Sequence, residues 1–187
     1  MFIRGEYPSS IGPYKLERVL HDSCKKVRFP SIVWKAQKDG IQYAIKAMGS
    51  HSQWKREVDS LQRVGVHDNI VSLVDHFPHD GYFTVVMSYI SNGQTIGDVK
   101  FSTSLGNMLK YAHYIALALR QCHENGVVHL DVHSRNIMVV SDEKAILIDF
   151  DTSRKSGRLF STLSVHDDVF VSWPPEARRL FPVARAS

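Results

Sequence analysis

Several things are scarce in this 187-residue chain, and each scarcity excludes something. Cysteine is nearly absent: Cys24 and Cys122 stand alone and far apart. That is no disulfide framework and fits a reducing compartment. Neither sign of charge dominates. An excess of 23 Lys and Arg over 19 Asp and Glu gives +4, and no basic run is long enough to argue for nucleic acid or an anionic membrane. Long apolar runs are missing as well: "YFTVVMSYI" (82–90) has the length of a strand, too short to cross a bilayer. The opening "MFIRGEYPSS" lacks the apolar core of a secretory signal, so cytoplasm or nucleus is the expected location. There is no internal repeat and no low-complexity tract. Between Gly12 and Gly40 there is not one glycine.

What is present divides in two. Apolar residues make up 43%, enough for a buried core. Residues 1–13 read as an irregular lead-in. From Tyr14, three stretches read as strands, 14–20, 31–37 and 42–48, the last two joined by the turn signal Lys38-Asp39-Gly40. Residues 52–64 follow a helical period with Trp54, Val58, Leu61 and Val64 on one face, Ser52 as N-cap and Gly65 as C-cap. Strands within 70–77 and 82–89 follow, joined by "PHDG". Then the texture changes. Residues 104–126 predict a long helix with Leu105, Met108, Leu109, Ala112, Ile115, Leu119 and Cys122 as a core stripe. Two short strands, 136–140 and 145–149, flank a polar turn. Residues 152–187 are rich in Ser and Arg, then Pro, without a strong period. A sheet-rich front followed by a helix-led back places a small-molecule site between them.

The chemistry concentrates in "HLDVHSRN" (129–136) and "IDFD" (148–151). Asn136 and Asp149 supply hard oxygen donors at the ends of adjacent strands. Two such donors suit Mg²⁺, which keeps several waters and takes further ligands from substrate phosphates. Asp131, five residues before Asn136, can face the same point and accept a hydroxyl proton as phosphate leaves ATP. Lys46, on a front strand, can neutralise the phosphates, with Glu57 on the polar side of the next helix as its partner. Plainer readings exist: a strand-end carboxylate, a solvated strand lysine, a Glu57 that pairs with Lys55 or Arg56. His123, His129 and His133 have no cysteine beside them to favour zinc.

In order along the chain, six elements resemble the protein kinase superfamily. "YAIK" resembles the strand of the phosphate-binding lysine, and 57–77 the following helix and strand. "VVMSY" (85–89) is similar to the strand that enters the hinge, "HLDVHSRN" to the catalytic loop, "IDFD" to the metal-binding triplet and "WPPE" (173–176) to the end of the activation segment. The resemblance implies an α+β, two-lobed protein-kinase-like fold in one domain over 1–187. Residues 14–90 would form a β-rich N-lobe with one main helix, and 91–187 a shortened, mainly helical C-lobe. It implies ATP and Mg²⁺ as cofactors and a protein substrate or partner. Asp131 would be the base, Asn136 and Asp149 the Mg²⁺ ligands, Lys46 the phosphate holder and Glu57 its anchor. Ser88 and Ile90 would meet adenine through backbone groups beside the gatekeeper Met87, with Ala44 and Met138 on either side of the ring.

The sequence also departs from the family pattern. The stretch 16–36 lacks the glycines that let a backbone approach phosphates; Lys25, Lys26 and Arg28 could compensate by charge. The loop motif reads His129-Leu130-Asp131, without the arginine that receives an activating phosphate, and Asp151 replaces the glycine of the metal triplet. His133 and Asp151 are closer to small-molecule kinases of the aminoglycoside and choline phosphotransferase type. Three functions follow: a protein kinase acting on Ser/Thr or Tyr hydroxyls, a pseudokinase that works by binding proteins, or a small-molecule kinase.

Overall fold

The structure is a computed structural model and describes residues 7–23, 30–99, 104–140 and 144–156. The predicted features at Cys24, Lys25, Lys26 and Arg28, and the "WPPE" segment, lie outside the described residues. So does most of the Ser/Arg-rich tail.

The front is a six-stranded antiparallel sheet. Its strands are β1 (Ser10–Ile11), β2 (Tyr14–Asp22), β3 (Ser31–Lys38), β4 (Ile41–Met48), β5 (Leu73–His79) and β6 (Tyr82–Ser88), in the order β1-β2-β3-β4-β6-β5. β1 lies inside the stretch expected to be irregular. Its Ile11 is buried and pairs with Tyr14, so one apolar residue suffices to fasten the lead-in to the sheet. β3 and β4 are joined by the expected turn, with Asp39 and Gly40 both at positive φ (52° and 78°), the two-residue hairpin geometry that matches strand twist.

Side chains alternate across β4, and this alternation builds the site. Ile45 and Ala47 point into one apolar cluster with Ile11, Tyr14, Ile32, Trp34, Ala36 and Val86. Met48 points to the opposite side, into the cluster that holds Val58, Leu61 and Val64 of the helix α1 (His51–Val64). Lys46 shares that second face, so it looks at α1. The helix begins one residue earlier than the sequence predicts, and its cap lies two residues earlier. Its N-cap is Ser50, whose hydroxyl accepts from the Gln53 N–H at 3.4 Å, while Ser52 is exposed on the helix. Gly65 closes it as expected, its N–H on the Leu61 carbonyl at 3.0 Å. Trp54 Nε1 donates to the Thr84 carbonyl at 3.0 Å and fixes α1 on β6.

The back is led by α2 (Leu105–Glu124). It is followed by β8 (Val127–Val128), β9 (Ile137–Val139), β10 (Ala145–Leu147) and β11 (Arg154–Lys155), with β7 (Gln94–Thr95) preceding the helix. β9 pairs with β10 and β7, and β11 with β8. The stripe predicted on the helix is only half correct. Tyr111, Ile115, Ala118 and Cys122 are the buried residues, and Leu119 is partly buried against them. Leu105, Met108 and Leu109 are 74%, 47% and 64% exposed, and Ala112 is exposed too. The strands under α2 meet only the arc from Tyr111 to Cys122, which is narrower than the apolar stripe.

Front and back share one core. Asn69 donates through Nδ2 to the Ala145 carbonyl at 2.9 Å, and Leu147 exchanges backbone bonds with Asn69 and Val71. Among the described residues, no helix is long and apolar enough to cross a membrane.

Candidate active site

Lys46, Glu57, Asp149 and Asp151 come from three separate stretches of chain and meet at one ammonium. Lys46 Nζ lies 2.7 Å from Asp149 Oδ1, 3.0 Å from Glu57 Oε2 and 3.3 Å from Asp151 Oδ2. The Lys46 side chain is 6% exposed and that of Glu57 0%. Glu57 was expected on a polar helix face; it is instead wholly buried, because α1 lays that face on the sheet beside Lys46. The alternative partners are engaged elsewhere. Lys55 pairs with Asp59, and Arg56 donates through Nε to the Asp151 carbonyl at 2.7 Å.

Burial and charge compete at this cluster. Burial pulls Lys46 down, but the carboxylates of Asp149, Asp151 and Glu57 more than offset it and hold the ammonium well above its ordinary value. Glu57 is pushed up to about 7 by burial, against the opposing pull of Lys46. Burial also raises Asp149, yet Lys46 at 2.7 Å outweighs it and holds this carboxylate below its usual range. For Asp151 burial wins over Lys46, and its value is raised.

The two back segments are brought together by main-chain geometry. β9 and β10 put Ile137 opposite Leu147, and the Ile148 N–H donates to the Asn136 carbonyl at 3.0 Å. Asp149 then adopts φ 64°, a left-handed turn that Asp tolerates. The chain reverses there, and Asp149 and Asp151 both reach the same ammonium. Phe150, between them, is fully buried and meets the His129 ring edge-on at 4.6 Å. Ser153 donates to the Phe150 carbonyl and lies 2.7 Å from Ser60 on α1, which ties the turn to the front lobe.

Asp131 is set by its own loop. His129 is buried, which lowers its value and keeps the ring neutral; its Nε2 meets the Ile148 carbonyl at 3.1 Å and its Nδ1 accepts from the Asp131 N–H at 3.3 Å. Between them Leu130 takes φ 68°, a strained conformation for leucine that the flanking bonds hold. Asn136 spends its amide group on Asp131, donating to its carbonyl at 3.0 Å and to Oδ2 at 2.9 Å. His133 lies 3.4 Å from the same Oδ2, and its Nδ1 accepts from the Arg135 N–H, so the Nε2 proton faces the carboxylate. The Asn136 hydrogen bond and the His133 contact both fall on Oδ2. The amide oxygen of Asn136 is left as an acceptor.

The predicted adenine contacts also lie together. Ala44 is paired with Met87 across β4 and β6, and Ser88 follows at the strand end. The Ser88 N–H donates to the Ser72 carbonyl at 3.0 Å and the Ile90 carbonyl accepts from the Gly93 N–H at 3.3 Å. Met138 reaches the same segment: a Cβ on Gly93 would lie 2.7 Å from Met138 Cε and 2.6 Å from the Ile90 side chain. Gly93 is needed there for close approach.

The contacts of Asp151 and His133 were not foreseen as such. The only signal was a carboxylate two residues after Asp149, where the two can flank one turn, and a histidine two residues after Asp131.

An open antiparallel sheet with one helix carrying a buried Lys–Glu pair, joined to a helix-led lobe through the contacts of Lys46, Arg56 and Ser60 with the 149–153 turn, defines a two-lobed kinase fold. The sequence model of the protein kinase domain matches residues 31–170, most of the chain, and the chain belongs to that family. It is similar to the RGS domain-containing serine/threonine-protein kinase A of Dictyostelium discoideum, 29% identical over 71% of this chain and 13% of that protein. It is 30% identical to the serine/threonine-protein kinase PEPKR2 of Arabidopsis thaliana over 67% of this chain and 27% of that protein. It is 28% identical to the mouse serine/threonine-protein kinase Nek1 over 66% of this chain and 11% of that protein. The chain thus spans only about a ninth to a quarter of the length of these curated relatives.

Proposed function

We propose that this chain carries the catalytic centre of an ATP- and Mg²⁺-dependent protein kinase, with Asp131 as the base. The observation that carries the reading is the meeting of Lys46 and Glu57, on consecutive elements, with Asp149, 103 residues beyond Lys46, at contact distances of 2.7 Å and 3.0 Å. A solvated strand lysine and a strand-end carboxylate would have no reason to converge across two lobes.

The donor set fits the expected ligands. Among the described residues no three His, Cys, Asp or Glu side chains are arranged to hold a metal unaided. The free amide oxygen of Asn136 and the carboxylate of Asp149 make two hard ligands, the pattern of Mg²⁺ that depends on phosphates for the rest. Bound there, the ion would neutralise charge on the phosphates. Lys46 would hold the phosphates by point charge, with Glu57 keeping it on station. Ala44, Met87 and Met138 would enclose the adenine, and Ser88 and Ile90 would offer it backbone groups. Asp131 would orient the acceptor hydroxyl and take its proton as the oxygen bonds the γ-phosphorus and the bond to the β-phosphate oxygen breaks.

The relatives named above are serine/threonine-protein kinases, which favours a Ser or Thr hydroxyl on a protein as acceptor. Transfer of labelled phosphate from ATP to the chain itself or to added peptides tests the reading. Asp131→Asn should lower transfer by roughly 10²-fold or more, the typical worth of a positioned base. Unchanged transfer in that variant would remove Asp131 from the role.

A second reading, a pseudokinase that binds proteins without transferring phosphate, is favoured by one observation. Lys46 already has three acidic partners and is almost fully covered. The small-molecule kinase reading is favoured by the His133–Asp131 contact. Small alcohols and sugars belong in the same transfer assay as its arm.

A further inference from the structure

Asp151 is the acid at Lys46 that the proposed chemistry leaves without a task. Glu57 anchors the lysine from α1, and Asp149 is the proposed metal ligand. Asp151 does neither, yet its Oδ2 stands 3.3 Å from Nζ. A lysine ammonium has three N–H donors and no more. Here three carboxylates, at 2.7, 3.0 and 3.3 Å, face them, and the side chain is 6% exposed. Nζ donates hydrogen bonds to Asp149 and Asp151, while Glu57 Oε2 is an ion-pair contact without one, so Asp151 holds a donor that an incoming phosphate would need. The contact is also built in. Arg56 Nε holds the Asp151 carbonyl at 2.7 Å, Thr152 donates to the His129 carbonyl at 3.2 Å, and Ser153 bonds back to Phe150 within the same turn. These bonds keep the Asp151 main chain beside Lys46 whatever its side chain does.

We infer that Asp151 is an internal competitor for Lys46, a tethered carboxylate that nucleotide phosphate must displace and that thereby sets the affinity for the nucleotide. The inference rests on the reading of Lys46 as a phosphate-binding residue. It makes Asp151 a positioning residue: it acts on the ligand through Lys46. The excluded phosphate contact is a charge-assisted hydrogen bond, so freeing the lysine should tighten binding about tenfold or more, and tenfold corresponds to about 1.4 kcal/mol.

The experiment measures binding of ATP with Mg²⁺, and separately of adenosine, to the full chain by calorimetry at fixed salt. The proteins are the wild type, Asp151→Asn, and Asp151→Asn combined with Lys46→Met. Asp151→Asn keeps shape and main-chain bonds, and Asp151→Ser repeats the measurement should the first variant unfold. The expected result is a Kd for ATP lowered about tenfold or more, an unchanged Kd for adenosine, and loss of the gain when Lys46 is replaced. An ATP affinity that is unchanged or weaker in Asp151→Asn, while the wild type binds, overturns the inference and leaves the kinase reading standing. Equal gains for ATP and adenosine overturn it too, because competition for a phosphate contact cannot act on adenosine. Absence of ATP binding in both the wild type and Asp151→Asn overturns the inference and the reading together.

Discussion

Lys46 sits on an eight-residue strand paired along its length with β3 and for most of it with β6. Asp131, Asn136 and Asp149 sit beside strands of two or three residues, on loops with non-glycine residues at positive φ. The front is held by many equivalent ladder bonds and a two-sided apolar core. The site loops of the back are held by a few specific side-chain bonds: His129 to Ile148 and Asp131, Asn136 to Asp131, Ser153 to Phe150 and Ser60. Loss of one contact should therefore weaken the front by degrees but displace a functional group in the back. The difference suits the proposed work: a rigid strand carries the charge, and short loops aim the groups that handle the hydroxyl and the metal.

The largest effect tests where the two regions meet. Lys46→Met leaves Asp149 and Asp151, which are partly exposed, and the wholly buried Glu57 without their shared cation, and removing one partner of a buried pair such as Lys46–Glu57 costs about 3–5 kcal/mol. Chemical unfolding should show that loss, and nucleotide binding should vanish with it. A loss under about 1 kcal/mol would mean that the cluster behaves as a solvated surface pair. Next comes Ile45→Ala, one residue away but on the opposite sheet face, where Ile45 is fully buried. A cavity there should cost about 2–5 kcal/mol with little change in nucleotide affinity measured on the folded protein. A matching drop in affinity would show that the sheet does not insulate one face from the other.

The smallest effect is a pH dependence. Glu57 in the fold titrates at about 7, above its ordinary 4.5. In that window the folded state binds the extra proton, so stability of the ligand-free protein should fall as pH rises from about 4.5 to about 7 and level off above, with a slope of at most about 1.4 kcal/mol per pH unit for one proton. Glu57→Gln should flatten that slope. A slope of the opposite sign over the same range would show that Lys46 outweighs burial at Glu57.

Much of the front was legible because its signals are local. Alternation along β3 and β4, the Asp39-Gly40 turn and the period of α1 each lie within a dozen residues. The failures there are also local: β1 is too short to show a pattern, and Ser50 competes with Ser52 as cap at equal chemistry. The site residues were legible through resemblance to a family, since nothing in the spacing of Lys46 and Asp149 announces a contact. The exposed start of α2 was misread because period shows which residues share a face, not how much of that face is covered. The buried position of Glu57 and the Asp151 contact were out of reach for the same reason. Both are set by how the α1 surface and the 149–153 turn pack, which is long-range information.

The proposed function requires the Lys46–Glu57–Asp149 cluster, with Asn136 and Asp131, to be a nucleotide site between two lobes. The direct measurement is thermal unfolding of the full chain against a titration of ATP with Mg²⁺ up to millimolar, in the wild type and in Asp149→Asn. A ligand bound only by the native state must stabilise it, by about 2.7 kcal/mol at a hundredfold excess over Kd. The unfolding temperature should rise with ATP and Mg²⁺ and Asp149→Asn should remove the rise; no rise in the wild type, or an equal rise in both proteins, would rule out a nucleotide site at this cluster.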